Sequence, residues 1–110
     1  MSETPEPQFL YLTTVGRKSG KPHQIEIWFV RHADSYYLVN ENPPISDWVK
    51  NIRHNAAVMF SIGSRDANPI EGRGRLVDPT AEPELAADVS ALMDAKYQWS
   101  TGQIVELKPN

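Results

Sequence analysis

The chain has 110 residues, a formal net charge of −3 and no cysteine. A chain of this length is expected to form one domain, and its acidic balance disfavours nucleic acid or an anionic membrane as a partner. Without cysteine, disulfides, thiol chemistry and thiolate metal sites are excluded, so any redox reaction needs a bound cofactor. No run of apolar residues approaches the length of a membrane span. We therefore expect a soluble, cytoplasmic protein.

The N-terminal segment differs in composition from the rest of the chain. Residues 1–8 are acidic and rich in proline, which predicts a flexible arm before a single domain over residues 9–110. Residues 9–14 are rich in aromatic and β-branched residues, a composition typical of a strand. The domain is therefore expected to begin with a strand.

A basic turn, residues 16–22 with the sequence GRKSGKP, follows this strand. Gly16 and Gly20 allow positive backbone dihedrals that direct several N–H groups into one concavity, where Ser19 adds a hydroxyl donor. The three cations of the turn can attract an anion. A solvated hairpin tip explains the pattern equally well. The glycine spacing does not match the nucleotide P-loop, so a bound phosphate would be held by another arrangement.

Residues 23–41 predict a β-hairpin. Alternating apolar residues over 23–32 and an apolar run over 36–41 indicate two strands, separated by a polar break at 33–35. The tripeptide Asn42-Pro43-Pro44 is expected to end the second strand.

Glu26 is unusual because it lies within the first strand of that hairpin. We expect it to pair with Arg73 or Arg75 across the sheet, or to lie in a dimer interface, rather than to act in catalysis.

Two helices and three more strands complete the predicted order. Gly72 and Gly74 interrupt one strand and indicate bending or the close approach of another backbone. The sequence therefore predicts a mainly β, α+β domain with two helices and a barrel-like sheet. The expected elements are a helix from Ser46 to Asn55, strands over 56–62 and 69–77, a helix from Asp78 to near Trp99, and a strand over 103–107.

The order and spacing of several motifs resemble those of the deazaflavin-dependent nitroreductase family. The resemblance covers residues 9–109, and it implies an antiparallel six-stranded split β-barrel of the FMN-binding type, commonly a homodimer. This barrel is related to those of pyridoxamine 5'-phosphate oxidase and the flavin reductases. The matching motifs are LTTVGRKSGKP at residues 12–22, Trp48 with Asn51, NAAV at residues 55–58, and Tyr97 before IVELKP at residues 104–109.

The family resemblance also implies a reaction. Family members transfer a hydride from reduced coenzyme F-420 (8-hydroxy-5-deazaflavin) to a small electron-poor acceptor such as a quinone, nitroaromatic or enone. Two alternatives stay open on the sequence: an FMN-binding reductase with the same barrel, and a coenzyme-binding protein without turnover.

The same resemblance predicts the site residues. Tyr97 is the candidate catalytic hydroxyl, although packing in a core or interface explains it as well. Trp48 is also expected as a core anchor, and Asn40 as a turn residue. No metal site is expected, because the three histidines lack a zinc-binding spacing. The predicted cofactor-binding residues are Gly16, Arg17, Lys18, Ser19, Gly20, His23, Asn40 and Trp48.

Overall fold

One antiparallel sheet and two helices make up the part of the chain that the computed structural model describes, residues 7–41 and 46–110. The first six residues of the predicted arm and the predicted strand end at residues 42–44 lie outside these ranges. The strands are β1 (Phe9–Val15), β2 (Pro22–Trp28), β3 (Val30–His32), β4 (Ser35–Asn40), β5 (Ala57–Ile62), β6 (Ile70–Leu76) and β7 (Gln103–Pro109), and the helices are α1 (Asp47–His54) and α2 (Pro83–Tyr97).

The seven strands lie in the order β2-β1-β5-β6-β7-β4-β3, and every neighbouring pair is antiparallel. The sheet curls into a half-barrel, which confirms the predicted split-barrel fold with seven strands instead of six. Among the described residues, no helix has both the length and the apolar composition needed to cross a membrane.

The prediction of one continuous strand over residues 23–32 is wrong, because the chain divides at Phe29 into β2 and β3. These two strands lie at opposite edges of the sheet, although a single residue separates them. Phe29 is almost completely buried. The sheet must therefore curl far enough for one short segment to supply both of its edges.

Helix α1 packs on β1 and β6, and a glycine in β6 makes room for it. A Cβ atom on Gly74 would lie 3.0 Å from Ile52 Cγ2 of α1. A Cβ atom on Gly72 would lie 2.5 Å from the carbonyl oxygen of Lys108, so here a neighbouring backbone approaches closely. The predicted close approach of another backbone is confirmed at Gly72, whereas the close neighbour of Gly74 is a side chain of α1.

Helix α2 starts later than predicted, at Pro83 instead of Asp78. The residues before it form a turn in which the Glu82 N–H donates to the Asp78 carbonyl oxygen at 2.8 Å. Val89 and Met93 of α2 are fully buried and pack in an apolar cluster with Val77. The helix therefore packs on the opposite face of the sheet from α1, because its cluster contains Tyr37 and Val39 whereas the cluster of α1 contains Leu38 between them.

Candidate functional site

The basic turn between β1 and β2 is closed by its own backbone. The Gly16 N–H donates to the Lys21 carbonyl oxygen, and the Gly20 N–H donates to the Gly16 carbonyl oxygen, both at 2.8 Å. Gly20 has a φ of 71°, a conformation that a glycine adopts at little cost. The Lys21 N–H donates to Ser19 Oγ at 3.2 Å. These hydrogen bonds give the turn a defined backbone conformation.

Asn51 of α1 holds this turn in place. Its Oδ1 accepts from the Arg17 backbone N–H at 3.2 Å and from Arg17 Nη1 at 3.0 Å. Its Nδ2 donates to Thr14 Oγ1 at 3.2 Å, and both Asn51 and Thr14 are buried. One buried amide therefore fixes the direction of the Arg17 side chain. Arg17 Nη2 also lies 3.4 Å from Asp47 Oδ1, which is exposed.

The turn and α1 form the walls of a cleft of about 590 Å³. Positive charge comes from Arg17 and Lys18, and hydrogen-bonding groups come from Ser19 and His23. The Ser19 Oγ and His23 Nε2 atoms lie 3.4 Å apart. This group of donors suits a bound anion, because two cations and a hydroxyl face one opening.

Most of the predicted cofactor-binding residues come together in this cleft. Trp48 was predicted both as a core residue and as a cofactor-binding residue. It is buried in the core cluster and also lines the cleft. Gly20 shapes the turn without lining the cleft. The predicted residues that line the cleft are Gly16, Arg17, Lys18, Ser19, His23 and Trp48.

Asn40 is not among the residues that line the cleft, and its side chain forms hydrogen bonds with backbone groups. Its Nδ2 donates to the Glu41 carbonyl oxygen at 3.1 Å, and its Oδ1 accepts from the Ser46 N–H at 3.2 Å. The side chain thus joins the end of β4 to the start of α1, as a turn residue does. A contact between Asn40 and the cofactor stays a prediction.

Tyr97 also lies away from the cleft, at the end of α2. Its hydroxyl accepts from the Phe29 N–H at 3.0 Å, and it lies 2.8 Å from the Phe29 carbonyl oxygen and 2.6 Å from that of Gln8. Its ring stacks on Trp28 with centroids 4.5 Å apart. These contacts give Tyr97 a packing role, and a catalytic role stays a prediction.

The predicted pairing of Glu26 with Arg73 or Arg75 is wrong. Glu26 lies directly opposite Tyr11 on β1 and accepts a hydrogen bond of 2.7 Å from its hydroxyl, which raises the pKa of Tyr11. Strands β1 and β5 separate β2 from β6, so the arginines of β6 are too far away.

Arg75 instead bridges two other carboxylates. Its Nε donates to Glu106 Oε1 and its Nη1 to Glu82 Oε2, both at 2.6 Å. Burial raises the pKa of Glu106, but hydrogen bonds from Arg75, Tyr37 and Ser35 outweigh this and leave the pKa below its ordinary value. Burial and the Glu106 hydrogen bond together raise the pKa of Tyr37 to about 12. This network stabilises β6, β7 and the start of α2.

Sequence reasoning named Asn51 only as part of a motif and missed its role as the residue that holds the turn. The available signal was the spacing of Trp48 and Asn51, because residues three apart on a helix share a face. No group of three or more metal-ligating side chains occurs within residues 7–41 and 46–110.

Comparison with solved structures identifies the class of fold. HutZ, the heme storage protein from Vibrio cholerae, superimposes with a TM-score of 0.75 at 19% identity, over 96% of this chain and 83% of that chain. A putative pyridoxamine 5'-phosphate oxidase from Listeria innocua gives 0.64 at 19% identity, over 94% and 84%. An F-420-H2 dependent reductase, FDR-A, gives 0.65 at 17% identity, over 98% and 100%. The domain is thus a split β-barrel of the kind that these proteins share.

The family model of the F-420H(2)-dependent quinone reductases matches residues 2–105. The chain therefore belongs to this family, and it is a deazaflavin-dependent oxidoreductase whose cofactor is coenzyme F-420. No curated protein sequence gives a significant match.

The residues of the cleft fit this cofactor. A Cβ atom on Gly16 would lie 2.6 Å from Ser19 Oγ and 2.7 Å from His23 Nε2, so the missing side chain is what lets both groups close over the turn. Two cations stand beside them, as the phosphate of such a coenzyme requires.

Proposed function

We propose that the protein transfers a hydride from reduced coenzyme F-420 to a small electron-poor acceptor, a quinone, nitroaromatic or enone. The observation that supports this most is the cleft, in which Asn51 holds Arg17 at a fixed direction beside Lys18 and Ser19. Family membership supplies the cofactor, and the cleft supplies a site whose charge and donors suit the cofactor's anionic part.

The role of the protein in this reaction is to hold the coenzyme in a fixed orientation. When bound, the coenzyme would supply the hydride and the proton that convert a quinone to its hydroquinone, a two-electron transfer that leaves the coenzyme oxidised. Arg17, Lys18 and Ser19 hold the anionic end, because charge-assisted hydrogen bonds give a fixed orientation. Trp48 forms an apolar wall of the same cleft.

We also infer a homodimer, as the family resemblance implies and because β2 is an edge strand of the sheet. Exposed edge strands are usually covered by another element or chain. Light scattering on the purified protein tests this, with a monomer mass at micromolar concentration as the contradicting result. A cytoplasmic location stays a prediction of the sequence.

A fluorescence titration with oxidised coenzyme F-420, and separately with FMN, tests the function. We expect micromolar or tighter binding of the deazaflavin and much weaker binding of FMN. Loss of the reduced coenzyme is then followed with a quinone, a nitroaromatic and an enone in turn. Preference for FMN would contradict the cofactor assignment, and coenzyme binding without oxidation by any acceptor would indicate a binding protein.

A further inference from the structure

A second groove, of about 530 Å³, lies at the other end of β2 from the basic turn. We call it the tryptophan groove, after Trp28 and Trp99. Its lining is mostly apolar, whereas cations and polar groups line the cleft. The apolar residues are Phe9, Ile27, Trp28, Val39 and Trp99.

The two indoles of the groove form a corner suited to a flat ring. Trp28 and Trp99 have ring centroids 6.1 Å apart and planes inclined by 72°. One face of Trp28 is covered by Tyr97, in a stack with an interplanar angle of 2°, and this fixes the plane of the indole. An aromatic molecule can then stack on one indole and meet the edge of the other, the two arrangements that aromatic rings prefer.

The groove and the cleft lie along the same strand. His23, Ile25 and Ile27 share one face of β2, because side chains alternate along a strand. The first two line the cleft and the third lines the groove. From His23 to Ile27 the strand advances about 13 Å, at roughly 3.3 Å per residue. A ligand that is held at the basic turn and follows this face of β2 reaches the groove at Ile27, whereas Glu26 and Trp28 line the groove from the opposite face of the strand.

The two ends of β2 carry opposite charge. Two cations, Arg17 and Lys18, and one carboxylate, Asp47, line the cleft, which leaves it with net positive charge. The groove is lined by two exposed carboxylates, Glu26 and Glu41. The Tyr11 hydroxyl, at 2.7 Å, holds the Glu26 carboxylate on its strand. No cation is among the described residues that line the groove. An anionic molecule is thus attracted to one end and repelled from the other.

We propose that the tryptophan groove is the acceptor subsite, and that Glu26 and Glu41 make it select uncharged or cationic planar aromatic molecules over anionic ones. This inference rests on the proposed function for its reaction, but it concerns a different set of residues. The carboxylates act as specificity-determining residues through repulsion, which leaves the basic turn to the coenzyme.

Two naphthoquinones that differ by one sulfonate test the charge selection. We expect wild-type kcat/KM to be about tenfold or more higher for the neutral quinone, with a smaller ratio at high salt. The double variant Glu26→Gln/Glu41→Gln should reduce this ratio to near one, mainly by raising kcat/KM for the sulfonated quinone. Glu71→Gln, which removes an exposed carboxylate of β6, serves as the matched control and should keep the wild-type ratio.

Quenching of tryptophan fluorescence tests the location without the coenzyme. The neutral naphthoquinone should quench the wild-type protein, and Trp28→Leu/Trp99→Leu, which keeps Trp48, should lose this saturable quenching. A thermal melt checks that each variant is folded. Trp28→Phe/Trp99→Phe, which keeps aromatic rings in the groove, should retain a KM for the neutral quinone close to that of the wild type.

The two proposals can fail separately. If turnover occurs but both quinones are used equally, or the double glutamine variant keeps the wild-type ratio, the acceptor binds elsewhere and the groove assignment is wrong. If no acceptor oxidises the coenzyme while the quenching stays saturable and selective for the neutral quinone, the proposed function is wrong, and the groove is a charge-selective site for planar aromatic molecules but not an acceptor subsite.

Discussion

The Tyr97 hydroxyl oxygen lies 3.0 Å from the backbone nitrogen of Phe29 and 2.8 Å from its carbonyl oxygen. Phe29 is the residue at which the chain leaves β2, at one edge of the sheet, for β3 at the other edge. Lys96 Nζ donates to the same carbonyl oxygen at 2.9 Å. The end of α2 therefore satisfies the backbone groups of Phe29, at the corner that closes the half-barrel.

The first prediction concerns that corner. Tyr97→Phe removes the hydroxyl but keeps the ring that stacks on Trp28. The buried Phe29 N–H loses its acceptor, so we expect the free energy of unfolding to fall by about 1–3 kcal/mol. Urea denaturation measures this. Tyr11→Phe, which removes a hydroxyl bonded to the exposed Glu26, is the matched control and should cost less.

The same variant separates the two roles of Tyr97. A kcat within a few-fold of wild type, together with the loss of stability, would show that the hydroxyl acts only through Phe29. A fall in kcat of about a hundredfold at saturating acceptor, with unfolding unchanged, would support the catalytic role that the family resemblance implies.

The second prediction concerns the charge of the basic turn. Arg17→Ala/Lys18→Ala should weaken coenzyme binding by roughly a hundredfold or more at low salt, because two charge-assisted contacts are lost. The difference from wild type should shrink as salt is added. Titrations at several salt concentrations measure this. Arg73→Ala/Lys108→Ala removes equal charge from exposed residues of β6 and β7 as the control, and equal affinity in both double variants would contradict the site.

The basic turn was the part of the site most accessible from sequence, because its cations and glycines are neighbours in the chain. The sequence left a solvated hairpin tip open as an alternative, and of the two glycines expected to have positive φ only Gly20 does, at 71°. The expected concavity of N–H groups is wrong for four of them, since those of Gly16, Arg17, Gly20 and Lys21 donate to acceptors within the protein. Gly72 and Gly74 were equally informative, because a strand interior tolerates glycine only where something packs closely.

The break at Phe29 had no local signal. The apolar alternation continues from Ile25 through Ile27 and Phe29 without a glycine or a proline, so the pattern favours one strand. What divides the strand is the curl of the whole sheet and the hydroxyl of Tyr97, 68 residues away in sequence. Glu26 was misassigned for the same reason, since strand order decides its partner and sequence spacing does not.

The third prediction concerns Asn51, which the sequence placed only in a motif and whose contacts with the turn come from the structure. Asn51→Ala leaves the Arg17 N–H and Thr14 Oγ1 without their partner, so stability should fall by about 1–3 kcal/mol. Coenzyme affinity should fall by about tenfold, because Arg17 loses its fixed direction. Asn51→Asp keeps the oxygen acceptor and should recover part of that affinity. Thr14→Val removes only the hydroxyl contact, and an affinity loss as large as that of Asn51→Ala would contradict this account.

The last prediction concerns the Arg75 network at acid pH. The Arg75 hydrogen bond lowers the pKa of Glu82, and the pKa of Glu106 is also lowered. A carboxylate whose pKa is lower in the folded protein stabilises it above the ordinary value of about 4.5, and this contribution is lost as the pH falls through the folded-state pKa. The free energy of unfolding should therefore decline below about pH 4.5.

Glu106→Gln tests this decline, because it removes one of the two titrating groups and leaves the fold of β7 in place. We expect lower stability than wild type at pH 7 and a flatter dependence on pH below about 4.5. Urea denaturation across that range measures both. Glu84→Gln removes an exposed carboxylate of α2 outside the network and should keep the wild-type profile. A Glu106→Gln profile parallel to that of wild type would mean that other carboxylates produce the acid sensitivity.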